Sequence, residues 1–328
     1  MAKAPIMSDE NQHWVPRFLI KYFADADGRV YCLDIHTDEI TKPPPRRAAS
    51  EAGFNEFHFA GEAVSFEGRL EKIETKAAPV LRRVIERRSL SGLTFHERKR
   101  IADFTAAQSF RTKAFCEGLV DKPSREGFAQ ILEQLWQSAF IIANEIAQRH
   151  WALMVIETGE VFYLGDHPVV LQRTEDPKDG GNLGFDVQGV EAFLPLSPKC
   201  ALYMPCRAVS NEIINGYRTA ITMHRALRSA VLRGVAVGGS QLELTQRVMR
   251  KSYPLIRALT EGVPLIADTP SVENLNYLQC SWAQGAVYSN FPDFTFARRV
   301  FRENPQYRSV PTTSLLHRTA LVPVKRVG

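Results

Sequence analysis

Apolar residues recur at helical spacing in three consecutive segments of the first half of the chain. Between residues 65 and 89 they lie at Phe66, Leu70, Ile73, Ala77, Val80, Leu81, Val84 and Ile85. Because an α-helix turns once every 3.6 residues, this spacing collects the apolar side chains on one face. Similar spacing follows over about 94–115 and 125–150, and Thr94 with Glu97 three residues later is typical of a helix-starting capping box. The pattern predicts a block of three helices.

Segments rich in β-branched and aromatic residues stand on both sides of this block. Residues 29–35 and 39–41 predict an N-terminal hairpin, and 151–157 with the residues from 161 onward predict a central one. Further strands are expected at 192–198 and 200–204. Helical patterns return at 209–232, 240–251 and 271–288. We therefore predict an α+β fold, in which an N-terminal hairpin and a helical block precede a mixed or antiparallel sheet with C-terminal helices.

Length and charge favour one domain with a basic extension. The chain has 328 residues, of which 45% are hydrophobic, enough for a large core. The net charge is +5, and residues 291–328 alone hold seven Lys or Arg residues against two acidic ones. We predict a single α+β domain over 1–290 and a mobile basic tail over 291–328. Such a tail favours a nucleic-acid or acidic partner, and a solubilising extension is the alternative.

Composition also indicates the cellular setting. No apolar run approaches the ~20 residues that a membrane span needs, and residues 1–10 lack the apolar region of a secretory signal. The five cysteines are widely spaced and form no C-x-x-C pair, which argues against a zinc site or a disulfide framework. We expect a cytoplasmic protein with no membrane partner. The oligomeric state stays open.

The most informative stretch lies at the centre of the chain, over residues 162–171. Gly165, Asp166, His167 and Pro168 separate two strand-like runs. A carboxylate and an imidazole are thus expected at a strand end, a place where ligand sites are common in α/β sheets. The alternative is an aspartate that caps a turn beside a solvated histidine.

A second feature is a pair of polar residues on the inward face of the helix that begins after Thr94. Gln108 and Arg111 follow Ile101 and Phe104 at core-facing spacing. A buried guanidinium is rarely stable without a carboxylate partner, for which Glu74 and Asp166 are the candidates. The alternative is that Arg111 extends outward to solvent.

Strong catalytic motifs are absent from the sequence: it has no Walker A loop, no G-x-G-x-x-G, no H-E-x-x-H and no G-x-S-x-G. What remains is a dispersed polar set, which comprises His13, Glu74, Gln108, Arg111, Asp166, His167 and Asn276.

Two hypotheses follow from this set. In the first, the protein is a metal-dependent phosphodiester hydrolase, nuclease-like, that binds Mg²⁺ or Mn²⁺ through Glu74 and Asp166. His13 would transfer protons, Arg111 would hold phosphate, and Asp166 would be the third catalytic residue. The cofactor-binding or ligand-binding residues would be Gln108, His167 and Asn276. In the second, the protein is a non-catalytic module that binds nucleic acid or protein, and these residues form a structural polar network.

Four segments resemble the family called domain of unknown function 4238. They are Gln-His-Trp-Val-Pro-Arg-Phe-Leu at 12–19, Gln-Ser-Phe-Arg-Thr at 108–112, Leu-Gly-Asp-His-Pro-Val at 164–169, and Pro-Leu-Ser-Pro at 195–198. Asn276 with Ala283 is similar to a fifth. The central segment departs from the family's more usual Ser-Asp-Asn-Pro, with Gly165 and His167 in place of Ser and Asn. The resemblance implies one domain over about 12–289 with a shared site, and no particular reaction.

Overall fold

The structure is a computed structural model that describes residues 11–308 except 53, 55, 60, 61, 66, 112–124, 174–183, 186, 236 and 237. The predicted α+β fold is confirmed. Its helices are α1 (Arg17–Tyr22), α2 (Glu67–Arg87), α3 (Phe95–Phe110), α4 (Arg125–Gln148), α5 (Arg207–Leu232), α6 (Gly239–Glu261), α7 (Thr269–Trp282) and α8 (Thr295–Glu303). A 3₁₀ turn follows at Pro305–Arg308.

The strands are short and form four sheets. They are β1 (Asn11–His13), β2 (Tyr31–Asp34), β3 (Ile40–Thr41), β4 (Ser50–Ala52), β5 (Glu56–Phe59), β6 (Glu62–Ser65), β7 (Ala152–Val155), β8 (Leu164–Gly165), β9 (Val170–Arg173), β10 (Val190–Ser197), β11 (Cys200–Pro205), β12 (Pro264–Ile266) and β13 (Ala286–Ser289). The large sheet has the order β12-β7-β11-β10-β9 and the small sheet the order β3-β2-β13-β8, with β1–β4 and β5–β6 as separate pairs. Only β12 and β7 pair in parallel among these strands.

The helical block and the N-terminal hairpin form as the sequence predicts, except that α3 ends at Phe110 and residues 112–115 of the predicted helix lie outside the described residues. Thr94 and Glu97 make both hydrogen bonds of the capping box at the start of α3. The strands β2 and β3 pair antiparallel, as do β10 and β11. All residues of β7, β10 and β11 are buried, because helices or loops cover both faces of the large sheet.

The predicted central hairpin is wrong. β7 pairs with β11 and β12, whereas β8 pairs with β13, more than 120 residues later in the chain. The helix predicted over 271–288 is also too long: α7 ends at Trp282 and β13 begins at Ala286. The apolar residue Val287 therefore belongs to a strand, although its position continues the helical spacing.

The boundary predicted for the basic tail also needs correction. Residues 295–303 form α8, which buries Phe294, Ala297, Val300 and Phe301 in a second apolar cluster with Leu33 and Val287. The segment was predicted to be a tail because of its arginines, although its apolar residues recur at helical spacing. Residues 309–328, the rest of the predicted tail, lie outside the described residues. Among the described helices, none is long and apolar enough to cross a bilayer.

The end of α6 gives the first testable prediction. Gly262 has φ +73° there, and a Cβ on it would lie 2.7 Å from the backbone nitrogen of Ser91 and 2.8 Å from the carbonyl carbon of Leu90. Gly262→Ala should lower the free energy of unfolding by about 3 kcal/mol, because left-handed backbone strain adds to a backbone clash. Urea unfolding measures this.

Gly92→Ala is the matched control. Gly92 has φ +77°, and no atom lies within 4 Å of the position that a Cβ would occupy, so only the strain of about 1 kcal/mol should appear. Equal losses in the two variants would contradict the proposed close contact between the end of α6 and residues 90–91.

Candidate functional site

Six of the seven predicted site residues fall into two groups, and Gln279, which was not predicted, joins the second. We call His13, Glu74, Gln108 and Arg111 the N-terminal cluster, and Asp166, Asn276 and Gln279 the central clamp. His13 ends β1, Glu74 lies on α2, and Gln108 and Arg111 lie in and just after the last turn of α3.

Arg111 is the centre of the N-terminal cluster. It is 5% exposed, and its guanidinium forms an ion pair with Glu74 and lies 3.8 Å from Glu67. The predicted pairing with Glu74 is therefore confirmed, and the outward orientation of Arg111 is not. The Nε atom of Arg111 is buried without a hydrogen-bond partner among the described residues. Burial raises the pKa of Glu74 even though Arg111 opposes the shift.

His13 lies beside Arg111 in a half-buried position. Its Nε2 atom contacts the carbonyl oxygen of Pro45 at 3.3 Å, and since a carbonyl only accepts, Nε2 carries the proton. In the neutral ring Nδ1 then has the free lone pair. Burial lowers the pKa of His13 below 6.5, and the charges of Arg111 and Arg17 lower it further. The imidazole is consequently neutral at pH 7.

Gln108 positions the segment that carries His13. Its Nε2 donates to the carbonyl oxygen of Trp14 at 2.7 Å, and the N–H of Trp14 donates to Ala49 at 3.0 Å. These bonds fix the exit of β1 against α3. The structure thus gives Gln108 a positioning role next to His13.

Asp166 is engaged by backbone groups. Its Oδ1 accepts the N–H of Gln284 at 2.8 Å, and its Oδ2 accepts those of Gly285 and Ala286 at 2.7 and 3.1 Å. A carboxylate offers about four lone-pair positions, so three are occupied. Burial raises the pKa of Asp166 to about 6, and the three N–H groups oppose the shift.

The side chains of α7 complete the central clamp. Asn276 accepts the N–H of Tyr163 at 2.7 Å and donates to Val161 at 2.9 Å. Gln279, which no sequence motif singled out, accepts the N–H of Gly165 at 2.7 Å and donates to Pro168 at 3.0 Å. Both amides therefore serve the backbone of residues 161–168. Their spacing of three on one helix was the only signal for Gln279.

The remaining predicted residue, His167, is buried and packs on Trp282. The two ring centroids are 5.1 Å apart with a tilt of 53°. Burial raises the pKa of the Tyr288 phenol, and the charge of Asp166 raises it further. His13, Glu74 and Arg111 thus come together, whereas Asp166, His167 and Asn276 belong to the central clamp and its surroundings.

The fold and these two groups define an α+β protein with two sets of buried or half-buried polar side chains. The chain belongs to the family described as protein of unknown function (DUF4238), whose model matches residues 11–293. No curated protein and no solved structure matches the chain. The matched range contains both groups of residues.

The central clamp gives a prediction of its own. Asp166→Asn should lower the free energy of unfolding by about 3 kcal/mol at pH 7, because the amide NH₂ would face a backbone N–H that now donates to a carboxylate oxygen. Urea unfolding would show the loss.

Asp268→Asn is the control for this change. Asp268 caps α7 by accepting the N–H of Ser271 at 3.1 Å, and asparagine is an equally good N-cap. A loss in Asp166→Asn no larger than in this control would contradict the anchoring role of Asp166.

Proposed function

We propose that the protein is a phosphodiester hydrolase, nuclease-like, whose reaction centre is the N-terminal cluster. One observation carries the proposal: a neutral, half-buried imidazole stands beside a buried guanidinium that retains one N–H group without a partner among the described residues. An imidazole of this kind is a general base, and a guanidinium binds phosphate oxygens.

The proposed chemistry assigns one role to each residue. His13 Nδ1 takes a proton from water, whose oxygen forms a bond to phosphorus as the ester P–O bond breaks. Arg111 holds a non-bridging oxygen and stabilises the developing charge. Glu74 orients Arg111 through the ion pair. Asp166 is left out of this chemistry, because three backbone N–H groups already occupy its oxygens.

A divalent cation enters the proposal in a limited way. Among the described residues, no group of three or more His, Cys, Asp or Glu side chains is placed to hold a metal. Mg²⁺ is often bound by one or two carboxylates, with water and substrate phosphate filling the other positions. Glu74 and Glu67 are the residues that would hold Mg²⁺ or Mn²⁺ in this manner, where it would neutralise phosphate charge.

The second candidate function is a non-catalytic module that binds nucleic acid or protein. It is favoured by the amides of Gln108, Asn276 and Gln279, which all bond backbone groups, as in a structural network. The basic C-terminal segment, in contrast, gives little support for nucleic-acid binding. Arg298 and Arg308 both contact Asp38, at 3.3 and 3.4 Å, which reduces the positive charge of that face.

A cleavage assay tests the leading proposal. The full chain is incubated with labelled single- and double-stranded DNA and RNA, with Mg²⁺, with Mn²⁺ or with a chelator. His13→Gln should lower the cleavage rate by about 100-fold or more, since general base catalysis contributes that much. Glutamine can still donate to Pro45, so the fold should remain.

His96→Gln, at an exposed histidine on α3, is the matched control and should keep the wild-type rate. Cleavage that is equal in both variants would remove His13 from the reaction. No cleavage of any substrate by a folded wild-type protein would favour the binding module instead.

The pH profile is a separate prediction. Because the neutral form of His13 is the active one and its pKa is lowered, kcat/KM should stay constant from about pH 8 to below 6.5 and fall only at lower pH. A pH–rate profile of the wild type measures the midpoint. A midpoint above 6.5 would mean that another group limits the rate.

A further inference from the structure

A cavity lies at the opposite end of α3 from Arg111. Its volume is about 570 Å³, and it forms where the start of α3, the end of α4, the start of α5 and the end of α6 meet. Arg98, in the first turn of α3, precedes Arg111 by thirteen residues, which corresponds to roughly 20 Å along a helix. The cavity is therefore separate from the N-terminal cluster.

The wall of this cavity is positively charged. Arg98, Arg149 and Arg207 contribute guanidinium groups, and no acidic side chain of the described residues lines it. Glu145 lies behind the wall, 3.6 Å from Arg207 and 4.0 Å from Arg149. Among the described residues, three guanidinium groups stand against this one carboxylate, a balance that favours an anionic ligand.

Two of these guanidinium groups are held in place by backbone carbonyl oxygens, and Arg149 also pairs with Glu145. Arg149, which is 1% exposed, donates to the carbonyl oxygens of Met204 at 3.0 Å and of Val190 at 3.3 Å. Arg98 lies 4.1 Å from the ring centroid of Trp151 and donates to the carbonyl oxygen of Arg149 at 2.7 Å. Carbonyls and rings carry no net charge, so these contacts orient both side chains, and those of Arg98 leave its charge in place.

The third arginine is accessible from solvent and donates to the Oε1 atom of Gln148. The side chain of Arg207 is 50% exposed, and its ion pair with Glu145 is of the surface kind, which contributes little. Asn211 follows one turn later on α5 and adds an amide to the same wall. His150 donates from Nδ1 to Leu259 at 3.1 Å, because a carbonyl only accepts, so Nε2 is the ring atom left for a ligand.

An aromatic ring completes the lining. Phe95, in the first turn of α3, is 63% exposed, although an apolar ring is usually covered. A flat exposed ring beside fixed cations can stack a base while the cations hold a phosphate. The volume lies within the range of small-molecule sites. We propose that this cavity binds a small phosphate ester of mononucleotide size, with phosphate on Arg98 and Arg207 and the base against Phe95.

Titration calorimetry on the full chain tests the proposal. The probes are the four nucleoside 5′-monophosphates, the corresponding nucleosides, and a 5′-phosphorylated oligonucleotide. At least one monophosphate should bind, and its nucleoside should not. Arg207→Ala should weaken binding by about tenfold or more, because it removes a charged hydrogen-bond donor. Asn211→Asp should weaken it as well, because it adds a negative charge to the wall.

Both altered residues are exposed, so the variants should fold. Arg225→Ala is the matched control: it is an exposed arginine on α5, eighteen residues and roughly 27 Å beyond Arg207, and it should bind as the wild type does. His13→Gln should also bind as the wild type does, so this result is independent of the proposed hydrolase.

Three results would overturn the proposal. The first is no binding of any monophosphate at about 1 mM, where even a weak site is occupied. The second is binding that Arg207→Ala and Asn211→Asp leave unchanged. The third is tighter binding of the oligonucleotide than of every monophosphate, which would make the cavity a nucleic-acid site.

Discussion

The buried carboxylate of Asp166 is the interaction on which the arrangement of the two larger sheets depends. Residues 164–170 pass from β8 in the small sheet to β9 in the large one, and Asp166 lies within this crossing. A buried charge is stable only if hydrogen bonds replace its lost hydration. The N–H groups of residues 284–286 do so, and the N–H of Asp166 returns a bond to Ala286 at 3.0 Å. The crossing and the start of β13 are thereby fixed together.

Helix α7 holds the same crossing from its other side. The amides of Asn276 and Gln279 bond the backbone on both sides of Asp166, and a Cβ on Gly165 would lie only 2.9 Å from the carbonyl oxygen of Gln279. The helix thus approaches the strand closely where glycine stands. This close approach brings the side-chain amides of α7 within hydrogen-bonding distance of the backbone of residues 161–168.

Local signals predicted the helices well and the strand pairing poorly. The capping box at Thr94 and the apolar stripes act within a few residues, so the sequence contains their whole cause. The pairing of β8 with β13 depends on contacts more than 120 residues apart, and β8 has only two residues. The ion pair of Arg111 with Glu74, in contrast, could be predicted from two helical stripes. The partners of Asp166 could not, because backbone N–H groups leave no mark in a sequence.

The buried arginines differ in what their partners do to the charge. Arg111 is paired with the carboxylate of Glu74, and burial together with the charge of Arg111 lowers the pKa of His13. Arg98 is held by a carbonyl oxygen and a ring, which carry no net charge, whereas Arg149 bonds carbonyl oxygens and also lies 4.0 Å from Glu145. The position of Arg149, directly after the C-terminal end of α4, would by itself suggest only that its charge offsets the helix dipole. The two ends of α3 therefore differ: the guanidinium of Arg111 is paired with a carboxylate, whereas that of Arg98 is held by a carbonyl oxygen and an aromatic ring.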